Sequence, residues 1–321
     1  MRSLTCSIWF LVARTDVPFM MQTIPHIIRM CDYPFSQKVL AVDTSPLSGD
    51  YISRPCIGTL DQLQKCCDDL FTSGVIDQIV NIDFSGDYQQ EVYAKHLGRF
   101  VRPTHNFRGA PFLGYIFLLD KAGSDYLVHF NTDMLIYQNA GYNWIAEGIE
   151  KLRQYPEIAC VTPLSGPPTQ DGLLYQKVPY ERDSRGFYRF KQFTSRKFLL
   201  DVKRFEKLLP LRISWIESSW MIKMSTARTS SSAANNHKSA QGEKQLNRWE
   251  KMVSNRLKET MYFRADLDTH AAWALHSSQT HDRIFVQNLP RIIEKIESGW
   301  YPPEQAGHYN LHLLSWLEAM A

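Results

Sequence analysis

The chain has 321 residues, of which 44% are hydrophobic and 21% are charged. That length allows one large domain or two modest ones, with enough chain to bury a core without disulfides or a structural metal. Its 36 Lys and Arg residues against 33 Asp and Glu residues leave a net charge of +3. So small a charge excludes a general polyanion binder and a disordered acidic tail as the main role.

The N-terminal segment and the cysteines indicate the compartment. A short apolar run at residues 8–13 is followed at once by Arg14 and Asp16, so it is too short for a signal sequence. No stretch approaches the ~20 apolar residues that a membrane-spanning helix needs. The cysteines have no repeated spacing and no CxxC motif, which is typical of a reducing compartment; they are Cys6, Cys31, Cys56, Cys66, Cys67 and Cys160. We therefore expect a cytoplasmic protein without a transmembrane segment.

In the first half, short apolar runs alternate with helix-period segments. This pattern predicts an α/β fold with a mainly parallel sheet flanked by helices. Thr59 and Gln62 form the pattern of a capping box at the start of one helix, and Trp144 marks another. The predicted strands cover residues 6–13, 38–42, 78–82, 126–130 and 158–162, and a buried helix is predicted over 112–119.

The composition changes after Gly166, which predicts a first unit over residues 1–166 and a second over 167–321. Residues 182–207 hold nine Lys or Arg against three Asp or Glu, so they form either a solvated face or a surface for an anionic acceptor. Residues 225–245 have no Val, Ile, Leu or aromatic side chain. Such a loop is either a lid or a disordered segment. Helical patterns then resume at 246–257 and 285–296, and Pro290 fits the first turn of the second helix.

Asn131-Thr132-Asp133 follows the predicted strand 126–130 directly. In an open parallel sheet, ligands bind in the crevice beside the carboxyl ends of the strands. Amide and carboxylate oxygens there suit Mg²⁺ or Mn²⁺, which can in turn bridge a diphosphate. An Asx-turn that ends a strand would give the same local pattern.

Three earlier segments precede this motif in order: residues 7–14, residues 39–45 and the pair Arg108-Gly109. Together with the motif they resemble the GT-A-fold glycosyltransferases, most closely the inverting family 2 enzymes, over residues 5–165. The resemblance implies a nucleotide-sugar donor held by Ala13, Arg14, Asp43, Arg108 and Asn131, and a Mn²⁺ or Mg²⁺ ion held by Asp133. Asn131 stands where the family has an acid, so we expect weaker binding of the divalent cation.

The second half adds two candidates for the same reaction. Glu217 lies among apolar residues with Trp215 and Trp220, where a carboxylate can serve as the base that deprotonates an acceptor hydroxyl, and the two tryptophans could stack on sugar rings. Trp273 and His276 form a Trp-x-x-His unit that resembles the family segment returning a histidine to the metal and diphosphate. Structural roles are the alternatives: an ion pair or a helix cap for Glu217, and an ordinary helix histidine for His276.

The predicted function is therefore metal-dependent transfer of a sugar from a nucleoside diphosphate to an acceptor hydroxyl, with inversion. The acceptor is a carbohydrate or another hydroxyl compound and could be anionic. The alternative is a degenerate GT-A protein that binds a nucleotide sugar or a partner protein without catalysis, and Asn131 favours it. A nucleotidyltransferase would need glycines where residues 13–18 have none. No nucleic acid is expected as a partner, because the net charge is small and no binding motif occurs.

Overall fold

A computed structural model describes residues 4–216, 244–277 and 281–321. Alternating strands and helices occupy the first half: β1 (Cys6–Val12), α1 (Met20–Cys31), β2 (Gln37–Val42), α2 (Leu60–Thr72), β3 (Gln78–Asn81), α3 (Gly86–Leu97), α4 (Leu113–Lys121), β4 (Tyr126–Phe130), β5 (Met134–Gln138), α5 (Trp144–Gln154), β6 (Ile158–Thr162) and β7 (Leu164–Ser165).

The second half contributes more strands than its sequence pattern indicates. Its elements are β8 (Glu181–Asp183), β9 (Phe187–Phe190), β10 (Lys197–Asp201), α6 (Val202–Glu206), β11 (Trp215–Ile216), β12 (Gln245–Leu246), α7 (Trp249–Lys258), β13 (Phe263–Leu267), β14 (Ala272–His276), α8 (Arg283–Glu297) and α9 (Leu313–Ala319).

The main sheet of the described residues has nine strands in the order β3-β2-β1-β4-β10-β6-β13-β9-β8. Strands β3, β2, β1 and β4 pair in parallel, as do β6 and β13. Strand β10 is antiparallel to both β4 and β6, and β9 is antiparallel to both β13 and β8. Seven strands therefore run in one direction and two oppose them. This confirms the predicted α/β class with a mainly parallel sheet and flanking helices.

A second sheet of three strands, β5-β14-β7, lies beyond the carboxyl end of β4. Strand β5 begins at Met134, directly after the Asn131–Asp133 segment, and it pairs antiparallel with β14. In that register His276 lies opposite Met134. His276 comes 143 positions later in the chain than Asp133. The pairing of these two short strands thus brings the two residues next to each other.

Local signals in the sequence start the helices as predicted. Thr59 caps α2, accepting a hydrogen bond at its Oγ1 from the Gln62 backbone, while the Gln62 side chain accepts from the Thr59 backbone, so the capping box is confirmed. Asn143 caps α5, and Asp282 caps α8. Because α8 begins at Arg283, Pro290 lies inside that helix. The prediction that Pro290 occupies its first turn was wrong.

Two predicted features fall wholly or partly outside the described residues. Glu217 and Trp220 lie there, as do residues 225–243 of the predicted loop 225–245, whose last residue starts β12. In the described ranges, no helix combines the length and the apolar character needed to cross a bilayer. All six cysteines are free thiols. The division at residue 166 and the reducing compartment stay predictions.

His96 gives a prediction about acid stability. Its ring lies on the buried face of α3 and is 2% exposed, and neither ring nitrogen has a hydrogen-bond partner among the described residues. Burial lowers the pKa of His96 from 6.5 to about 4. Below pH 6.5, His96 therefore binds a proton in the unfolded chain but not in the folded chain. The free energy of unfolding then decreases as the pH falls toward 4.

Between pH 7 and pH 4.5, the wild type should lose about 2 kcal/mol more unfolding free energy than a His96→Leu variant. Urea unfolding at the two pH values measures this difference, with His270→Leu as the control because His270 is exposed. Parallel losses in wild type and His96→Leu would show that His96 does not contribute to acid unfolding.

Candidate active site

A cavity of about 580 Å³ opens at the carboxyl ends of β1, β2 and β4. Pockets of 300–1,000 Å³ are typical of small-ligand and cofactor sites. Six of the eight residues that the sequence singles out line this cavity, although they come from distant parts of the chain: Ala13, Asp43, Arg108, Asn131, Asp133 and His276. The topology of the sheet therefore gathers most of the predicted site.

Asp133 lies between two histidines on the floor of the cavity. Its Oδ2 is 3.2 Å from Nε2 of His276 and 3.3 Å from Nε2 of His281. Burial disfavours the charged carboxylate, but the two imidazoles outweigh it and hold the pKa of Asp133 well below its usual value. Burial also lowers the pKa of His276. Asp133 is thus an ionised carboxylate held beside two imidazoles.

Two polar atoms of this cluster have no hydrogen-bond partner in the described structure: Oδ1 of Asp133 and Nδ1 of His276. Buried polar atoms are nearly always satisfied in native proteins, so each such atom indicates a missing partner such as water, an ion or a ligand. In the described ranges, no three acidic, histidine or cysteine side chains are arranged to hold a metal ion by themselves. The described residues by themselves therefore do not form a complete metal site.

The Asn131 side chain is hydrogen-bonded to other residues of the protein. Its Oδ1 lies 3.1 Å from Nε2 of His129 and accepts a hydrogen bond from the Tyr115 hydroxyl at 3.3 Å. Its backbone N–H donates to the Arg196 carbonyl at 2.7 Å. Burial lowers the pKa of His129 to about 4. The Asn131 amide oxygen is therefore held by groups on β4 and α4, and its backbone N–H is held by the segment before β10.

Asp16, which the sequence analysis did not assign a role, joins the two loops beside the cavity. Its Oδ2 accepts a hydrogen bond from the Ala13 backbone at 2.7 Å, and its Oδ1 accepts one from the Thr132 hydroxyl at 2.6 Å. Burial raises the pKa of Asp16. The loop after β1 and the Asn131–Asp133 segment are thus positioned together.

Asp43 follows β2 and is 6% exposed. Its Oδ1 accepts from the backbone and hydroxyl of Ser45, and its Oδ2 is 2.9 Å from Nε2 of His105. Burial opposes ionisation, but the His105 hydrogen bond helps to hold the pKa of Asp43 below its usual value. His105 is 62 residues later in the chain, and its ring stacks on Phe84. Asp43 therefore presents an oriented carboxylate to the cavity.

The two predicted arginines differ in position. Arg108 lines the cavity, and its Nε is 3.8 Å from Oδ2 of Asp50. Arg14 is not among the lining residues, since its Nε donates instead to the Gly58 carbonyl at 2.8 Å. Arg54 also lines the cavity, with its guanidinium 3.8 Å from the centroid of the Tyr51 ring. Arg108 and Arg54 therefore provide positive charge on this side of the site.

A further part of the cavity lining comes from the segment before β10 and the start of α7. Arg196, Arg248 and Glu250 line the cavity there, and Glu250 accepts a hydrogen bond at Oε2 from the Ser195 hydroxyl at 3.3 Å. Glu250 lies in the first turn of α7, and that helix is anchored by Trp249, whose ring stacks on Tyr115 with centroids 5.2 Å apart. This part of the lining therefore carries a carboxylate that the sequence analysis did not single out.

Other predicted candidates lie away from the cavity. Trp215 packs against the core that includes α4 and α7. Most arginines of the segment 182–207 bind acids or carbonyl groups of the protein itself: Arg182 pairs with Asp268, Arg185 with Asp183 and Glu157, and Arg204 with three backbone carbonyls. The residues of this segment that line the cavity are Ser195 and Arg196.

No protein-family model and no curated protein sequence matches the chain. Among solved structures, GalNAc-T7 with UDP, GalNAc and Mn²⁺ has a TM-score of 0.50 and 11% identity, over 87% of this chain and 44% of that one. TarS of S. aureus has a TM-score of 0.37 and 8% identity, over 66% of this chain and 30% of that one. The chain thus spans less than half the length of either protein. The likeness to GalNAc-T7 shows that this chain has the GT-A fold.

Proposed function

We propose, from the GT-A fold and this cavity, that the protein transfers a sugar from a nucleoside diphosphate to an acceptor hydroxyl, with a divalent cation and with inversion. The observation that carries this proposal is the cavity itself, where Asp133 and His276 meet at the carboxyl edge of the sheet and arginine side chains form part of the lining. UDP and Mn²⁺ in the GalNAc-T7 structure support the same ligand class. The acceptor is a carbohydrate or another hydroxyl compound, and no nucleic acid is expected as a partner.

The donor nucleotide would lie against the ends of β1 and β2. Ala13 leaves room for a flat base, and Asp43 offers a fixed carboxylate to base or ribose donors. Arg108 is on the same side and can neutralise phosphate. Arg14 would act only indirectly, by holding the loop around Gly58.

The residues on the cavity floor fit a divalent cation. Asp133 supplies a carboxylate and His276 an imidazole, and the unpartnered Oδ1 of Asp133 marks a missing partner. Cations of this class commonly take one or two protein ligands and complete their coordination with substrate phosphate and water. Imidazole favours Mn²⁺ over Mg²⁺. When bound, the cation neutralises charge that builds on the leaving diphosphate.

Transfer needs a base for the acceptor hydroxyl. The acceptor oxygen forms a bond to the anomeric carbon, the bond to the diphosphate oxygen breaks with its electron pair, and the hydroxyl proton goes to a carboxylate. We assign this role to Glu250, whose carboxylate lines the cavity. Glu217, which lies outside the described residues, stays a sequence-based candidate. Attack from the face opposite the diphosphate would give inversion.

A second candidate function is binding without turnover. Asn131 favours it, since the amide at this position removes one negative charge from the cation site. Such a protein would still bind nucleoside diphosphates, but it would not release them from any sugar donor.

Thermal unfolding with a panel of nucleoside diphosphates, each with and without Mn²⁺, tests the proposal. A ligand at about 100 times its Kd should stabilise the protein by about 2.7 kcal/mol. The matching nucleosides are the control, because they lack the diphosphate and should give no shift that depends on Mn²⁺. Release of the same diphosphate from its sugar donors then separates the enzyme from the binding protein. No stabilisation by any nucleoside diphosphate would contradict both.

A further inference from the structure

Arg196 stands directly before β10, at the edge of the sheet where the cavity opens. Lys197 pairs with Phe130 in the antiparallel register of β10 and β4, so Arg196 lies beside Asn131. The Asn131 backbone N–H donates to the Arg196 carbonyl at 2.7 Å, which fixes the main chain at this point. The Arg196 side chain lines the cavity.

The Arg196 guanidinium is half-buried and has no ion pair or side-chain hydrogen bond among the described residues. The Tyr309 ring lies near the guanidinium, with its centroid 5.9 Å from Cζ. The acids of the cavity are already engaged: Asp133 contacts the two histidines, and Glu250 accepts from Ser195. Burial disfavours the charged guanidinium, but Tyr309, Asp133 and Glu250 lie near enough to raise its pKa. Neither acid forms an ion pair with it, so its N–H donors stay available for an anionic ligand.

The neighbours of Arg196 indicate which anion this is. The Tyr309 ring that faces the guanidinium also stacks on His276, with centroids 6.1 Å apart. The backbone of His276 donates to the Tyr309 carbonyl at 2.9 Å. Arg196, Tyr309 and His276 therefore form one continuous wall, and an anion on Arg196 lies within reach of the Asp133–His276 pair.

We propose that Arg196 binds the diphosphate of the donor and supports its departure together with the cation, so that part of the diphosphate affinity does not depend on metal. This proposal rests on the proposed function for the identity of the anion. A fixed guanidinium beside the cation site would also help to hold the diphosphate where the uncharged amide of Asn131 leaves the cation more weakly bound. The anion would then be held by two independent positive groups, one of them permanent.

Isothermal titration of inorganic pyrophosphate into the full chain, first in EDTA and then in Mn²⁺, tests the proposal. We expect the wild type to bind pyrophosphate in EDTA and Arg196→Gln to bind it about 10- to 100-fold more weakly. Arg196→Lys should fall between them, because lysine keeps the charge but loses the bidentate geometry. The control is Arg99→Gln, an equal charge change at an exposed residue away from the cavity, which should match the wild type.

Each other outcome decides a different point. Equal pyrophosphate binding by the wild type and Arg196→Gln in EDTA would overturn the proposal, as would a wild type that binds only with Mn²⁺. If pyrophosphate binding is equal but transfer to a charged acceptor falls in Arg196→Gln, the guanidinium serves the acceptor and the proposal is wrong. If Arg196→Gln loses pyrophosphate but the wild type transfers no sugar from any donor, the anion site stands and the proposed function fails.

Discussion

Replacing Asp133 with alanine is expected to reduce sugar transfer by about 10²- to 10³-fold. Asp133 is the carboxylate that contacts both His276 and His281, and its side chain is largely buried. In the proposed function it acts by holding the cation. Loss of one group that stabilises developing charge in such a site typically has an effect of this size. Release of nucleoside diphosphate from the sugar donor, in the presence of Mn²⁺, measures it.

The structure also indicates how this result must be controlled. Asp133→Ala leaves two buried imidazoles without their shared acceptor, so thermal unfolding should confirm that the variant folds. Asp133→Asn keeps the size of the side chain and removes only the charge, and it should lose nearly as much activity. Asp68→Asn, at an exposed site on α2, should behave as the wild type. Turnover by Asp133→Ala equal to that of the wild type would show that the carboxylate has no part in the reaction.

Glu250→Gln is expected to lower kcat by about 10²- to 10⁴-fold, the usual contribution of a positioned base. The amide keeps the hydrogen bond from Ser195 but cannot take the acceptor proton. Binding of the nucleoside diphosphate should remain close to that of the wild type, because the proposed role of Glu250 is toward the acceptor hydroxyl and not toward the nucleotide. Steady-state kinetics and diphosphate titration separate the two effects.

Glu217→Gln and Glu259→Gln complete this experiment. Glu259 is exposed just after α7 ends and is the matched control, since it carries the same change near the same helix but away from the cavity. A large loss in Glu217→Gln with normal turnover by Glu250→Gln would assign the base to the sequence-based candidate instead. The configuration of the product, read by NMR of the new glycosidic bond, tests inversion in the same assay.

The surroundings of Asn131 are relevant to both proposed functions. Asn131 is not simply a lost ligand, because its amide is held by His129 and Tyr115 and its backbone positions Arg196. The substitution thus belongs to a wall that also provides a fixed cation. A transferase and a degenerate binding protein can both use such a wall, and only turnover with a sugar donor separates them.

The sequence by itself determined the parallel part of the sheet and the floor of the site. Strands β4 and β6 have the predicted bounds, since uninterrupted apolar runs between turn residues are a local signal of a buried strand. The capping box at Thr59 depends on neighbours three positions apart, which a sequence shows directly. Asn131 and Asp133 were found because they follow β4 immediately.

Only the tertiary structure decided how the second half completes the site. Strand β13 carries Arg264 and Asp266, so its sequence looks too polar for a buried strand. It can be buried because the two side chains form an ion pair with each other at 2.6 Å. Lys197 likewise makes the sequence of β10 look too polar for a buried strand. Its burial is possible because its Nζ donates to the Pro163 carbonyl. A pattern of hydrophobic residues cannot show that a charged side chain finds a partner inside the fold. For the same reason His281, Glu250 and Arg196 acquire a role only through partners distant in the chain, which no local pattern records.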